Sequence, residues 1–308
     1  MRIIVTGGTG LIGRALVSDL LDAGHRVTVL TRNVASAARK VDPRADVAEW
    51  LNGSGWERHL SCSDAVIHLA GETINQRWTY KAKRRILESR VGSTRALVQA
   101  LQGASPRPRV LISASAVGIY GSTSEPVDET APAGDGFLAT VCQAWEAAAW
   151  EAKGCGVRVV LLRLGIVLSP EGGALVRLLL PFRLFLGGPL GSGTQPFPWI
   201  HYRDVIELVR FCLDRPDASG PINAVAPEPH TQASFARELG RALGRPSWLH
   251  VPGLVLRAVF GEMAEALLLS GQAVTPAKAL QLGYRFRYPD LAGALNDLLG
   301  NRPRAQQK

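Results

Sequence analysis

Residues 2–13 read RIIVTGGTGLIG. The apolar run Arg2–Thr6 breaks at a glycine-rich turn, and Leu11, Ile12, Ala15, Leu16 and Leu20 then recur at helical spacing up to Gly24. Strand, turn and helix in that order, with Gly7, Gly10 and Gly13 three residues apart, hold a diphosphate on the backbone amides of a helix start. Gly7 permits the tight turn, Gly10 lets backbone come close to the pyrophosphate, and Gly13 lets the helix lie against the strand. Thr9, Leu11 and Ile12 complete the loop, so the whole stretch is a candidate dinucleotide site.

Outward from this unit, apolar runs at 26–30, 65–69, 110–113 and 157–162 alternate with helical patterns at 78–101 and 138–153. Such alternation predicts an α/β fold: a Rossmann-type doubly wound parallel sheet with helices on both faces. After residue 169 loops rich in glycine and proline take over, followed by a helix at 202–215, a strand at 222–225, a helix at 232–243 and a long apolar stretch at 251–269. The expected organisation is a dinucleotide-binding domain over 1–168, rejoined by the chain at about 200–225, and a smaller mixed α/β substrate lobe over 169–300. The polar residues 301–308 form an expected frayed tail.

The second strand ends Val29-Leu30-Thr31-Arg32. NAD-binding folds usually carry an acid here that accepts the ribose 2′-hydroxyl; Arg32 instead offers a guanidinium suited to a 2′-phosphate, with Thr31 as a hydroxyl partner. NADP(H) is therefore the expected cofactor, although an arginine at a strand end is also an ordinary surface residue. A later strand ends His68-Leu69-Ala70-Gly71, whose small residues leave room for a ligand at the carboxyl edge of the sheet.

Apolar residues make up 46% of the chain and charged residues 20%, and no apolar run reaches the roughly 18 residues of a membrane span. The chain enters a strand directly after Met1-Arg2, without a signal-like segment, and its four cysteines form no C-x-x-C pair, so a reduced protein of the cytoplasm is expected. The six histidines lack ligand spacing, and no metal site is expected. The net charge of +9 is spread along the chain, and its densest run, Lys81 to Arg85, falls on a predicted helix as a solvated face. Neither nucleic acid nor membrane is expected as a partner, and the chain is read as a monomer or homodimer.

TGGTGLIG at the start, HLAG at 68–71, SASAVGIYG at 113–121 and PWIHYRD at 198–204 together resemble the extended short-chain dehydrogenase/reductases. LAGETI followed by RW, the ESR at 88–90, LLPFRLFLGGPLGSGTQPFPWIH and GLVLRAVFGEMAEALLLSGQ more narrowly resemble the YfcH-like epimerase family, over nearly the whole chain. The resemblance implies an NADP-binding Rossmann domain with a C-terminal substrate lobe, in a family described as epimerases or oxidoreductases. It assigns cofactor contacts to the glycine loop, Thr31, Arg32, Leu69, Ala70, Arg90 and Val167, while Arg90 also reads as a plain exposed helix residue.

Enzymes of that broader class use a Ser or Thr to orient the substrate oxygen, a Tyr as general acid/base and a Lys four residues on. Ser115 matches the serine, with Ser113 beside it on the nicotinamide side; either also reads as a strand-end hydroxyl. The Tyr-x-x-x-Lys frame holds Leu138 and Cys142, with Glu146 four residues further, so the usual proton relay is missing. Tyr120 and Glu72 are the nearest replacements, and Arg77, Trp78, Gln195, Trp199 and His201 are candidates for a substrate pocket. Each has a plain reading: Glu72 capping a turn, Trp78 packing, and His201 with Asp204 tying down a helix start. The expected function is an NADP-dependent oxidoreductase or epimerase on a small polar, sugar-like compound, and the rival is a non-catalytic NADP(H)-binding redox sensor.

Overall fold

The computed structural model describes residues 1–51 and 55–300; the expected tail at 301–308 lies outside them. The strands run, in chain order, β1 (Arg2–Thr6), β2 (Arg26–Thr31), β3 (Asp46–Glu49), β4 (Ala65–His68), β5 (Val110–Ala116), β6 (Thr123–Val127), β7 (Arg158–Leu164), β8 (Ile166–Ser169), β9 (Trp199–His201), β10 (Gly220–Ala224) and β11 (Gln272–Val274). Seven of them form one parallel sheet in the order β10-β7-β5-β4-β1-β2-β3. The order reverses between β1 and β4, which opens a crevice at the carboxyl ends of those two strands.

The alternation within β1 shows why the sheet is covered on both faces. Ile3 and Val5 point to one side, where they meet Leu16, Val17 and Leu20 of α1 (Leu11–Asp22). Ile4 points to the other, against Leu97 and Leu101 of a long helix at Tyr80–Gly103. The intervening short helix at Val34–Ala38 is α2, which makes the long one α3; Phe137–Trp150 is α4, Gly173–Arg183 α5 and Tyr202–Asp214 α6. On α6, Val205, Leu208, Val209 and Cys212 form an i, i+3, i+4, i+7 stripe that joins α1 on the first face.

Two boundaries move from their expected places for local reasons. The helix expected from residue 78 starts at Tyr80 because Thr79 caps it, its Oγ1 accepting from the Ala82 amide at 3.2 Å. β3 is absent from the sequence reading because only Val47 and Ala48 of its four residues, DVAE, are apolar and the strand lies half-exposed at the sheet edge, so no apolar run marks it.

The C-terminal part builds its own core beside the sheet. Leu175, Leu179 and Phe182 of α5 pack with Trp199 of β9, Phe235 and Leu239 of α7 (Gln232–Leu243), and Leu291 and Leu295 of the last helix, Leu291–Gly300. An eighth helix, α8 (Gly253–Phe260), lies between these elements in sequence. Asp204, in the first turn of α6, accepts from the backbone amides of Arg287 and Tyr288 at 2.7 and 3.1 Å and so ties the chain's end to the sheet. Among the described residues no helix is long and apolar enough to cross a membrane.

Two buried polar devices lock the sheet to its helices. His68, at the end of β4 and wholly buried, receives the Thr6 hydroxyl on Nδ1 at 2.7 Å and reaches Thr94 of α3 through Nε2 at 2.9 Å. Thr94 donates its own proton to the Arg90 carbonyl at 2.7 Å, so it accepts from the ring, and the imidazole is the neutral Nε2–H form. Burial pulls its pKa down to about 4. Glu146 of α4 grips Arg163 of β7 through two bonds of 2.8 Å, with both side chains about nine-tenths buried.

Because His68 stays neutral in the fold while an unfolded histidine takes up a proton near pH 6.5, its contribution is complete above that pH and is lost as pH falls toward 4. Between pH 7.5 and 5 the unfolding free energy in urea should drop by about 2 kcal/mol more for the wild type than for His68→Gln. Parallel drops would contradict a neutral His68 in the fold. Glu146→Ala leaves the Arg163 guanidinium buried and unpaired, and should cost about 3–5 kcal/mol in the same assay; a loss under about 1 kcal/mol would show the pair to be solvated.

Candidate cofactor and active site

The crevice between β1 and β4 is a groove of about 300 Å³ lined by Gly7, Thr9, Gly10, Thr31, Arg32 and the segment Leu69, Ala70 and Gly71. Gly7 has φ +71°, and a Cβ there would lie 2.6 Å from the Leu69 carbonyl carbon, so only glycine lets the turn abut the end of β4. A Cβ on Gly13 would lie 2.2 Å from the Gly7 carbonyl oxygen, which fixes how closely α1 follows the turn. Gly10 donates its amide to Gly7 O at 3.0 Å and starts α1 with no side-chain cap and no acid in the first turn. The helix start is thereby left as a positive, amide-rich wall of the groove.

At the opposite end, Thr31 Oγ1 accepts from the Asn33 amide at 3.3 Å, and Asn33 Oδ1 caps α2 by accepting from Ser36 N at 2.9 Å. Arg32 stands exposed beside them, and no carboxylate is among the described residues lining the groove. Asn33, Ser36 and Trp50 also line it and escape the sequence reading. Asn33 with Ser36 has the spacing of a helix N-cap and so carries a usable signal; Trp50 follows β3, which no apolar pattern reveals.

The flank of the turn is closed by the chain after β8. Cβ atoms on Gly172 and Gly173 would lie 3.4 and 3.0 Å from the Leu11 side chain, and Arg14 of α1 pairs with Glu171 at 3.3 Å. Val167 sits on β8, paired in register with Ile200 of β9 and half-buried against the main core. Ile12 likewise packs on that core.

Beyond Gly71 the groove meets Arg90 of α3. A Cβ on Gly71 would approach the Arg90 Cζ to 3.2 Å, while Nη1 donates to the carbonyls of Glu72 and Ile86 at 2.9 and 3.1 Å. The guanidinium also lies 5.2 Å from the Trp145 ring, and burial lowers its pKa. Arg90 is therefore a fixed support under the carboxyl edge of β4, not a mobile surface group. The Glu72 amide donates to Ser89 Oγ at 2.9 Å, and its half-buried carboxylate lies 3.5 Å from Gln76 Nε2.

Parallel register sets Ser115 of β5, Arg163 of β7 and Asn223 of β10 side by side in one polar row. Ser115 Oγ donates to Glu146 at 2.6 Å; Arg163 Nη1 donates to the Tyr120 hydroxyl at 2.8 Å, which donates its own proton to Asn223 Oδ1 at 2.7 Å. Tyr120 is buried, and burial raises its pKa. Cys142 is packed near Ser115 with its thiol pushed up to about 11, and a Cβ on Gly118 would touch Leu138 at 3.3 Å. Ser113, level with His68, is wholly buried and donates to the neighbouring Ala114 carbonyl at 3.3 Å.

The remaining pocket candidates do not gather around this row. Trp78 donates Nε1 to Ile74 O at 2.8 Å and meets Phe137 edge-on at 5.0 Å inside a buried cluster. The Gln195 amide group donates to the carbonyls of Leu190 and Leu268 at 2.9 and 2.7 Å. Trp199 is in the C-terminal core, and His201 caps α6 by accepting from Arg203 N at 3.1 Å. Of this set only Arg77 stands exposed, on the loop after Gly71.

Comparison with known proteins agrees with this geometry. The model of the NAD dependent epimerase/dehydratase family matches residues 3–225, and a domain of unknown function, DUF1731, matches residues 251–298. The Arabidopsis thaliana epimerase family protein SDR39U1 homolog, chloroplastic, is 42% identical over 307 residues, covering 97% of this chain and 87% of the relative. The Bacillus subtilis epimerase family protein YfhF is 37% identical over 305 residues, covering 98% and 99%. A crystal structure of human epimerase family protein SDR39U1 (isoform 2) with NADPH superposes with a TM-score of 0.87 at 37% identity, covering 98% of this chain and all of that one. With residues 3–225 matched by the family's model and nearly the whole chain covered by these relatives, the chain belongs to the NAD-dependent epimerase/dehydratase family.

Proposed function

We propose that the protein binds NADP(H) in the crevice between β1 and β4 and uses it on a small polar, sugar-like hydroxyl or carbonyl compound. One observation carries the choice of cofactor: the groove has an amide-lined glycine turn at one end and Arg32, with Asn33 and Ser36, at the other. The turn from Gly7 to Gly13 holds the diphosphate, and Arg32, Asn33 and Ser36 hold the 2′-phosphate. Leu69, Ala70 and Gly71 flank the rest, over Arg90 and with Val167 beyond, while the wholly buried Ser113 stays behind the wall. The human relative's structure with NADPH supports the same choice. When bound, the nicotinamide supplies hydride exchange at a carbon bearing oxygen.

The chain's own residues then orient the substrate and move one proton. Ser115 donates to Glu146, which Arg163 holds by two hydrogen bonds, so toward a substrate its oxygen accepts and favours the hydroxyl form of the compound. Tyr120 drops out as the acid/base because its proton is held by Asn223 and burial disfavours ionisation. Glu72, next after Gly71, is the group that takes the proton. Residues 169–300 form the substrate side, and the four free cysteines suit the reducing cytoplasm. The second reading, an NADP(H) sensor without turnover, draws on the burial of Ser115, Tyr120 and Cys142.

Arg32→Ala should weaken NADPH binding about 10- to 100-fold while changing NADH by less than about threefold, measured by fluorescence titration. Equal losses for both would remove the 2′-phosphate contact. Screening small hydroxyl and carbonyl compounds for absorbance change at the nicotinamide should find turnover that Glu72→Gln lowers about 10²-fold or more, with cofactor affinity unchanged. Turnover indifferent to Glu72 would reject that residue; NADPH binding with no turnover on any compound would favour the sensor.

A further inference from the structure

The chain between Gly172 and Arg203 contains no acid, nor does the chain between Leu239 and Gly261. These two acid-free stretches lie together. Trp248 donates its amide to Gly187 O at 3.0 Å and its indole Nε1 to Phe185 O at 3.0 Å, and the Val251 amide donates to Pro189 O at 2.9 Å. Gly188 makes the contact possible, since a Cβ there would lie 2.2 Å from the Leu249 carbonyl oxygen. The end of α5 is thus stitched to the start of α8.

Large apolar side chains stand in solvent around this seam. Leu180 is 61% exposed, Trp248 64% and Leu254 76%, with Leu184, Phe185 and Val259 also exposed. Single exposed apolar residues need no explanation, but a concentration on two stitched helices does. Beside them is a cavity of about 380 Å³ lined by Arg237, Arg241, Arg245 and Ser247. Arg245 joins cavity to ridge, its guanidinium 4.4 Å from the Phe185 ring. The Ser247 hydroxyl oxygen is buried with no hydrogen-bond partner among the described residues.

We infer that this face docks on an anionic phospholipid surface, the apolar ridge entering the interface and the arginine cavity taking a lipid phosphate. Charge selects this occupant over a second copy of the chain. Within the two stretches there is no carboxylate, and of the acids that flank the second, Glu238 and Glu265 are already paired with Arg241 and Arg257 at 2.6 and 2.8 Å, so self-pairing would set one net-positive face against another. An amphipathic indole among protruding aliphatic side chains, with basic residues beside it, is the composition that lies in a headgroup layer. The sequence reading expects no membrane partner because it tests only for spans; surface docking needs none. The inference is independent of the proposed cofactor chemistry.

Co-sedimentation with vesicles of phosphatidylcholine containing 30% phosphatidylglycerol, against pure phosphatidylcholine, tests it on the full-length protein. Binding should appear only on the anionic vesicles and be released by 0.5 M NaCl. Arg241→Ala with Arg245→Ala should weaken it about 25-fold, and Trp248→Ser with Leu254→Ser should also release the protein. Unchanged circular dichroism and NADPH affinity in the variants exclude misfolding. Equal retention on neutral vesicles, no retention on either, or retention indifferent to these substitutions would overturn the inference. So would full competition by millimolar inorganic phosphate, or a dimer in sedimentation equilibrium that Trp248→Ser dissociates.

Discussion

Everything in the site depends on how near α1 comes to the turn that launches it. The Gly7 carbonyl occupies the space a Gly13 side chain would fill, and the Leu69 backbone occupies the space of a Gly7 side chain. With these contacts the helix start, the turn and the end of β4 become one rigid surface whose inner wall is backbone amide. A methyl group at Gly7 would push the turn off the end of β4, and one at Gly13 would push α1, which carries Leu16, Val17 and Leu20 into the core, off the turn. Fold and ligand site thus share one steric requirement.

The polar interior follows a second logic. A parallel sheet buried on both faces has little room for polar side chains, yet one end of this one carries Thr6, His68, Ser115, Arg163 and Asn223. Each is satisfied by a partner on another element, so the row fixes α3 and α4 against the strands, at the end where the crevice opens. This engagement also limits what the side chains can do. A serine whose proton is held by a paired carboxylate accepts and does not donate, and a phenol bonded between arginine and asparagine is a brace.

What could be read from the sequence was whatever backbone geometry or periodicity leaves as a local mark. Gly7, Gly10 and Gly13 announce their turn because no other residue fits, and the apolar β strands and the α6 stripe follow simple periods. β3 leaves no such mark, and Trp50 is hidden with it. Glu146 and Arg163 are distant in sequence and ordinary in type; only the register of β5 against β7 reveals that they govern Ser115. Trp78, Gln195 and His201 illustrate the converse: residue types that suit a pocket, engaged instead in packing, loop anchoring and capping.

The account's central claim concerns the two ends of the groove: backbone amides for a diphosphate, and the Arg32 guanidinium for an additional phosphate. Isothermal titration calorimetry of the wild-type protein with NADPH and with NADH measures this directly. Tighter binding of NADPH by about tenfold or more is predicted. Equal affinities, or a preference for NADH, would contradict it.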